Sequence, residues 1–151
     1  MTHGKPTIAN AVALAARVHA TQRDKAGEPY ILHPLRVMFR LADETAQMVG
    51  VLHDVLEDDE HLTTDDLRAD GYDEVVVAAL EALTKRDGER YEDFIGRVAL
   101  NPLARCVKLA DLEDNMDVRR LPALTGKDLE RVGKYHASWR RLTTADAGLT
   151  E

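Results

Sequence analysis

Residues 51–59, with the sequence VLHDVLEDD, combine side chains typical of a buried helix with side chains that could carry out chemistry. On a continuous helix, residues four apart share a face, so His53 is expected above Glu57 and Asp54 above Asp58. Two adjacent acidic pairs repel one another and require a nearby positive charge. A divalent cation would supply it, because imidazole and carboxylate groups are both suitable ligands. An acidic, solvated helix end is the alternative interpretation of this segment.

Two further segments carry polar groups that could join this site. In KAGEPYILHP, His33 directly precedes Pro34 at the predicted start of a helix, and a helix-capping or core histidine is the alternative. In VKLADLEDNM, Asp111 follows an apolar run, with Asn115 one turn later and Lys108 one turn earlier on the same helix face. A polar stripe on an amphipathic helix is the alternative interpretation of this second segment.

The elements that must position these residues are predicted to be helices. Apolar residues recur at three- and four-residue spacing through most of the chain, with Gly and Pro residues between the periodic segments. The sequence therefore predicts an all-α fold, a bundle of about seven or eight helices in one domain over residues 1–151, with its core in residues 7–144. The predicted helices cover residues 8–20, 33–43, 45–57, 64–70, 73–85, 91–100, 102–117 and 126–144.

Composition restricts the class of partner. The chain has 151 residues, is 44% apolar and carries a net charge of −7, which argues against a nucleic-acid coat or an anionic membrane surface as partner. Cys106 is the only cysteine, so no internal disulfide can form. With no signal-type start and no apolar run long enough to span a bilayer, the sequence predicts a cytoplasmic protein. The last helix, which carries Trp139, is a candidate homodimer interface.

Taken together, the segments GEPYILHP, VLHDVLED and VKLADLEDNM resemble the HD superfamily of metal-dependent phosphohydrolases. The closer resemblance is to the hydrolase domain of RelA/SpoT alarmone enzymes and their small stand-alone relatives. The three segments stand in the same order as in that family, and the resemblance covers residues 12–120. It implies one divalent metal, typically Mn²⁺, held by His33, His53, Asp54 and Asp111.

The resemblance also implies roles for residues around the metal and a reaction. Glu57 and Asp58 match the pair that positions or activates the attacking water. Asn115 matches a residue that contacts the nucleoside sugar, and Lys25 a basic residue near the base or phosphates. Lys108 is a further candidate for substrate binding. The implied reaction is removal of pyrophosphate from the ribose 3′ position of (p)ppGpp by a metal-activated water, and the chain length predicts hydrolysis without a synthetase domain.

The chain departs from that family at two positions that often carry basic residues. They are occupied here by Asp24 and Asp114. Negative charge at these positions is expected to disfavour a highly phosphorylated guanosine. Two alternatives therefore stay open: a nucleotide phosphatase acting on nucleoside monophosphates or NADPH, and a catalytically weak HD domain that senses a nucleotide.

Overall fold

Helix α3, Glu44–Leu52, lies at the centre of the computed structural model, which describes residues 4–147. Asp43 begins the helix by accepting a hydrogen bond from the Ala46 N–H at 2.8 Å. The side chains of Val49, Val51 and Leu52 are fully buried. Burying an aliphatic side chain of this size contributes about 1.5–3 kcal/mol. The apolar residues before His53 therefore anchor the site-bearing segment in the core.

Four of the other helices pack against α3, and the predicted all-α bundle is confirmed. Within residues 4–147 no β-strand is present, and an isolated bridge between Arg23 and Pro29 closes the loop before the second helix. The other helical segments are α1 (Ile8–Val18), α2 (Leu32–Phe39), α4 (Val55–Asp58), α5 (Thr64–Ala69), α6 (Glu74–Ala82), α7 (Tyr91–Ala99), α8 (Pro102–Asn115) and α9 (Gly126–Ala147), with a 3₁₀ turn at Val118–Arg120.

The helix predicted over residues 45–57 is interrupted, and this part of the prediction is wrong. His53 and Asp54 lie in a turn between α3 and the single turn of α4. The His53 side chain donates from Nδ1 to the Gly50 carbonyl oxygen at 2.7 Å, the acceptor that the Asp54 N–H would use in a continuous helix. If α3 and α4 are counted as one interrupted helix, residues 4–147 contain eight α-helices, in agreement with the predicted seven or eight. The prediction that His53 stacks on Glu57 assumed an unbroken helix, and the turn at His53 removes that basis.

The loop between α6 and α7 is held by an ion pair. The guanidinium of Arg97 on α7 donates to Glu89 at 2.6 and 2.9 Å and to the Thr84 carbonyl oxygen at 2.9 Å. The same loop directs the Lys85 N–H to Glu57 Oε1 at 3.1 Å. The bidentate pair therefore fixes the backbone that contacts Glu57.

None of the helices in the described part of the chain is both long and apolar enough to cross a membrane.

Trp139 packs partly against the core, and its Nε1 donates to Glu113 Oε1 at 3.2 Å. The cytoplasmic location and the homodimer stay predictions. The predicted single domain over residues 1–151 includes residues 1–3 and 148–151, which lie outside the described residues.

Gly50 tests the close packing of α3 against α2. A Cβ atom on Gly50 would lie 2.6 Å from Leu41 Cδ1 and 3.4 Å from Met38 Cα. Gly50→Ala should therefore lower the free energy of unfolding by about 1–3 kcal/mol, measured by urea denaturation, because the core must shift to admit the methyl group. The control is Gly133→Ala on α9, where an added Cβ atom would have no neighbour within 4 Å apart from the backbone of its own helix. It should raise the free energy of unfolding by about 0.4–1 kcal/mol. Equal effects of the two variants would contradict the packing described.

Glu89 gives stability a dependence on pH. Hydrogen bonds from Arg97 lower the pKa of the Glu89 carboxyl from 4.5 to about 2. A carboxyl whose pKa is lower in the folded state stabilises the fold above its unfolded pKa, and this contribution is lost as pH falls from about 4.5 towards 2. Glu89→Gln should therefore be less stable than the wild type at pH 7, and the difference should shrink in this acidic range. Urea denaturation across pH checks this, with Glu130→Gln on α9 as the control for a lost charge. A difference that does not change with pH would contradict the assignment.

Candidate metal centre

Four polar side chains from three parts of the chain converge at one point. His33 comes from the first turn of α2, His53 and Asp54 from the turn after α3, and Asp111 from α8. Helices α2, α3 and α8 pack against one another, so residues that are 78 positions apart come into contact. His33 Nε2 lies 2.9 Å from Asp111 Oδ1. The structure therefore brings together the four residues for which the sequence predicts a metal site.

The imidazole of His53 is oriented towards this cluster. Because its Nδ1–H is donated to the Gly50 carbonyl, Nε2 faces Asp54 and Asp111. The Nε2 atom lies 3.0 Å from Asp54 Oδ2 and 3.3 Å from Asp111 Oδ1. It is buried, and it has no hydrogen-bond partner of acceptable geometry among the described residues. A buried nitrogen that lies close to two carboxylates without a well-formed hydrogen bond to either is expected where a cation binds between these groups.

The spacing of the donor atoms fits a divalent metal. His33, His53 and Asp54 each offer a ligand atom within 4.8 Å of the others. Neighbouring ligands of an octahedral ion at about 2.1 Å are about 3 Å apart, close to the distances from both imidazoles to Asp111. Two imidazoles and two carboxylates form a donor set suited to a divalent transition metal. These residues therefore fit the ion that the sequence resemblance implies.

The charges in the cluster balance one another. Burial opposes ionisation of Asp54, but His53 outweighs it and lowers the pKa of the Asp54 carboxyl to about 2. Burial also opposes the charge on Asp111, and Lys108 Nζ, 2.8 Å from Asp111 Oδ2, holds the pKa of that carboxyl well below its usual value. In turn the carboxylates raise the pKa of His33 and His53 despite burial of both rings. Both carboxylates are thus available to a cation as anions.

Tyr30 also contacts this site, through a hydrogen bond that the sequence did not predict. Its hydroxyl donates a hydrogen bond to Asp54 Oδ2, and its ring lies between those of His19 and His33, at centroid distances of 4.9 and 5.7 Å. Burial and the Asp54 charge raise the pKa of Tyr30, so the phenol stays protonated and remains a donor. The signal that could have found it is its position three residues before His33.

Glu57 and Asp58 lie in different environments. Glu57 lines the cleft above the cluster, where partial burial raises the pKa of its carboxyl although the residue is exposed overall. Asp58 does not line this cleft. Its Oδ2 accepts a hydrogen bond from Gln22 Nε2 at 3.2 Å and lies 3.5 Å from His19 Nδ1. The structure therefore brings Glu57, but not Asp58, into contact with the space above the four ligands.

The cleft above the cluster has a volume of about 240 Å³, and two of the predicted substrate-binding residues, Lys108 and Asn115, line it. Asn115 Nδ2 donates to Asp111 Oδ1 at 3.0 Å, which fixes the amide at the edge of the site. Lys108 is mostly buried and paired with Asp111, so its charge neutralises a candidate ligand. Lys85 and Lys134 also line this cleft.

Lys25, the third predicted substrate-binding residue, lines an adjoining cavity of about 360 Å³. The two spaces share Tyr30, Asn115 and Tyr135 as lining residues. Partial burial and the nearby charge of Arg131 lower the pKa of Lys25, as expected for two cations that face the same space. Sequence reasoning missed Arg131 and Tyr135, because nothing in the pattern of α9 distinguishes them from other residues of an amphipathic helix.

The two acidic departures from the family have partners of their own. Asp24 Oδ1 accepts the N–H groups of Ala26 and Glu28, both at 2.9 Å, and so shapes the loop, although Asp24 still lines the adjoining cavity. Asp114 is fully buried, and its carboxylate contacts His33 and Arg36. The expectation that Asp114 adds negative charge beside the substrate is therefore wrong, because this side chain points towards α2 and lines neither cavity.

Sequence comparison finds relatives among alarmone enzymes, whereas no protein-family model matches the chain. The chain is 36% identical over 126 residues to a GTP pyrophosphokinase of Streptomyces coelicolor. It is 34% identical over 121 residues to a guanosine-3′,5′-bis(diphosphate) 3′-pyrophosphohydrolase of Aquifex aeolicus. The matches cover 75% and 72% of this chain but 15% and 17% of the relatives, so the chain spans only a small part of their length.

The fold has a counterpart among solved structures. A metazoan ortholog of SpoT, described as hydrolysing ppGpp, superposes with a TM-score of 0.71 at 23% sequence identity. The match covers 96% of this chain and 88% of that one, and at this identity it is a likeness of fold. Sequence similarity, fold and the His/Asp cluster together show that the chain belongs to the HD-type, RelA/SpoT hydrolase-like family.

Proposed function

We propose that this chain is a divalent-metal-dependent phosphohydrolase that releases pyrophosphate from the ribose 3′ position of (p)ppGpp. The observation that carries the proposal is the convergence of His33, His53, Asp54 and Asp111 beneath a cleft. Similarity to a protein named as a guanosine-3′,5′-bis(diphosphate) 3′-pyrophosphohydrolase supports the choice of substrate.

The four converging residues would hold the metal, for which the family resemblance favours Mn²⁺. When bound, a divalent metal supplies Lewis-acid chemistry, since it acidifies water and polarises a phosphoryl oxygen. The protein contributes the orientation of the ligands. Gly50 fixes the ring of His53, and Tyr30 fixes the carboxylate of Asp54.

Glu57 is the residue we assign as general base. Its Oε1 accepts the Lys85 N–H, and Oε2 is the atom assigned to receive a proton from the attacking water. Partial burial raises the pKa of this carboxyl above its usual value, which makes Glu57 a stronger base than an exposed carboxylate. The water oxygen forms a bond to the phosphorus next to the ribose 3′-oxygen, and the bond from that phosphorus to the 3′-oxygen breaks. The 3′-oxygen takes up a proton from solvent, Glu57 returns to solvent the proton that it received, and pyrophosphate leaves.

The adjoining cavity is the space we assign to the nucleoside. Its volume of about 360 Å³ lies within the range of small-molecule sites. Lys25 and Arg131 supply positive charge there, and Lys85 and Lys134 supply it at the cleft, as a phosphorylated ligand requires. With Nδ2 bonded to Asp111, the oxygen of Asn115 is suited to accept a hydrogen bond from a ribose hydroxyl.

A substrate panel tests the proposal. Protein stripped of metal with chelator should be inactive, and Mn²⁺ should restore pyrophosphate release from ppGpp. Asp54→Asn should lower this activity at least about 100-fold, the scale of removing one electrostatic group from an active site. NADPH and nucleoside monophosphates, assayed in parallel, should turn over far more slowly. Turnover confined to one of them would replace the proposed substrate, and metal binding without any turnover would favour a nucleotide sensor.

Glu57→Gln separates the assigned base from the metal ligands. This variant should lower kcat by about 10²- to 10⁴-fold, the usual contribution of a general base, while Mn²⁺ affinity by calorimetry stays close to that of the wild type. Glu60→Gln is the matched control, since it removes an exposed carboxylate three residues further along the chain. If Glu57→Gln retained wild-type kcat, the assignment of the base would be wrong.

A further inference from the structure

Asp114 contacts a candidate metal ligand but has no role in the proposed reaction. It lies on α8, three residues after Asp111, with no exposed surface. Its Oδ2 lies 2.7 Å from His33 Nδ1, and its Oδ1 accepts from Arg36 Nε at 2.8 Å. Arg36 Nη2 lies 3.1 Å from Oδ2, so the guanidinium holds both carboxylate oxygens. The buried carboxylate of Asp114 on α8 therefore bridges two residues of α2, the candidate ligand His33 and Arg36.

These contacts hold the ring of His33 between two carboxylates. An ionised carboxylate only accepts hydrogen bonds, so Nδ1 of His33 must carry the proton that it shares with Asp114. The opposite nitrogen, Nε2, faces the cluster and donates to Asp111 Oδ1 at 2.9 Å, and a metal that binds there would displace this proton. We propose that Asp114 is a positioning residue that fixes His33 with its proton on Nδ1 and the lone pair of Nε2 directed at the metal. The inference rests on the proposed metal-dependent function and names a residue outside the ligand set.

The two histidines of the site are oriented by different acceptors. His53 donates to a neutral backbone carbonyl, that of Gly50, whereas His33 donates to a carboxylate. A carboxylate partner makes an imidazole a more basic ligand than a carbonyl partner does. His33 is therefore expected to contribute more to metal affinity through its outer partner than His53 does.

Arginines around Asp114 explain how the charge can be buried there. Besides Arg36, Arg40 Nη2 lies 3.7 Å and Arg120 Nη1 lies 3.6 Å from Asp114 Oδ1. His33 and Arg36 are three residues apart and so share a face of α2, against which α8 packs. A purely structural role for Asp114 would consist of its ion pairs with these arginines, of which Arg36 makes the shortest contacts. This alternative predicts different behaviour of variants.

Mn²⁺ affinity, measured by isothermal titration calorimetry on metal-stripped full-length protein, tests the inference. Asp114→Asn should weaken binding by about 10- to 100-fold, the usual effect of losing an outer partner of a metal-bound histidine. The control is Glu113→Gln, which removes the neighbouring carboxylate of α8, 3.8 Å from Arg40, and should bind Mn²⁺ as the wild type does. Equal affinity of Asp114→Asn and Glu113→Gln would overturn the inference.

Arg36→Gln distinguishes positioning from a structural ion pair. It breaks the contact of Asp114 with Arg36 but leaves the carboxylate beside His33. Both Arg36→Gln and Asp114→Asn should unfold at lower urea concentration than the wild type. Only Asp114→Asn should lose metal affinity in full, and equal losses in the two variants would assign Asp114 to the ion pair instead.

A tautomer measurement keeps the test decisive even if Asp114→Asn does not fold. Long-range ¹H–¹⁵N correlation spectra of the wild type loaded with diamagnetic Zn²⁺ should show His33 with a proton on Nδ1 and none on Nε2. The opposite tautomer would overturn the inference. A wild type that binds neither Mn²⁺ nor Zn²⁺ would instead refute the proposed metal centre. Failure of the inference alone would appear as an unaffected Asp114→Asn in an otherwise active, metal-binding protein.

Discussion

The structure depends on keeping two largely buried carboxylates, Asp54 and Asp111, ionised where the apolar core meets the cleft. A buried carboxylate without a partner becomes neutral or destabilises the fold, so each must be compensated locally. Lys108 compensates Asp111, while His53 and the Tyr30 hydroxyl compensate Asp54. The aliphatic residues of α3 are therefore more than a source of stability. They exclude water from one side of the cluster and so strengthen every charge interaction within it.

The break between α3 and α4 is the local feature that makes this arrangement possible. In an uninterrupted helix, His53 and Asp54 would point about 100° apart around the axis and could not both face one point. Because the His53 side chain donates to the Gly50 carbonyl, the chain turns, and both side chains reach the candidate ligands supplied by α2 and α8. A single side-chain hydrogen bond thus ends one element and orients one donor of the site.

The helices were predictable where their ends carry strong local signals. Asn101 and Pro102 start α8 as expected, and the predicted helices at 64–70 and 91–100 differ from α5 and α7 by one residue. The four candidate metal ligands could be predicted to lie together because three motifs occur in order along the chain. The break at His53 was not predictable, since it arises from a side chain competing for a backbone carbonyl in a segment with helical periodicity. The orientation of Asp114 was not predictable either, because it depends on which face of α8 packs against α2.

The shared wall between the cleft and the larger cavity has an evolutionary consequence. The candidate ligands lie on α2, α8 and the turn after α3, whereas the cavity is formed mainly by the loop before α2, by the segment between α8 and α9, and by α9 itself. Substitutions in that loop and in α9 can change which nucleoside is accepted without altering the ligand set. The molecule accepted by the cavity and the set of candidate metal ligands can therefore change independently of one another, and Asp24 belongs to the part that lines the cavity.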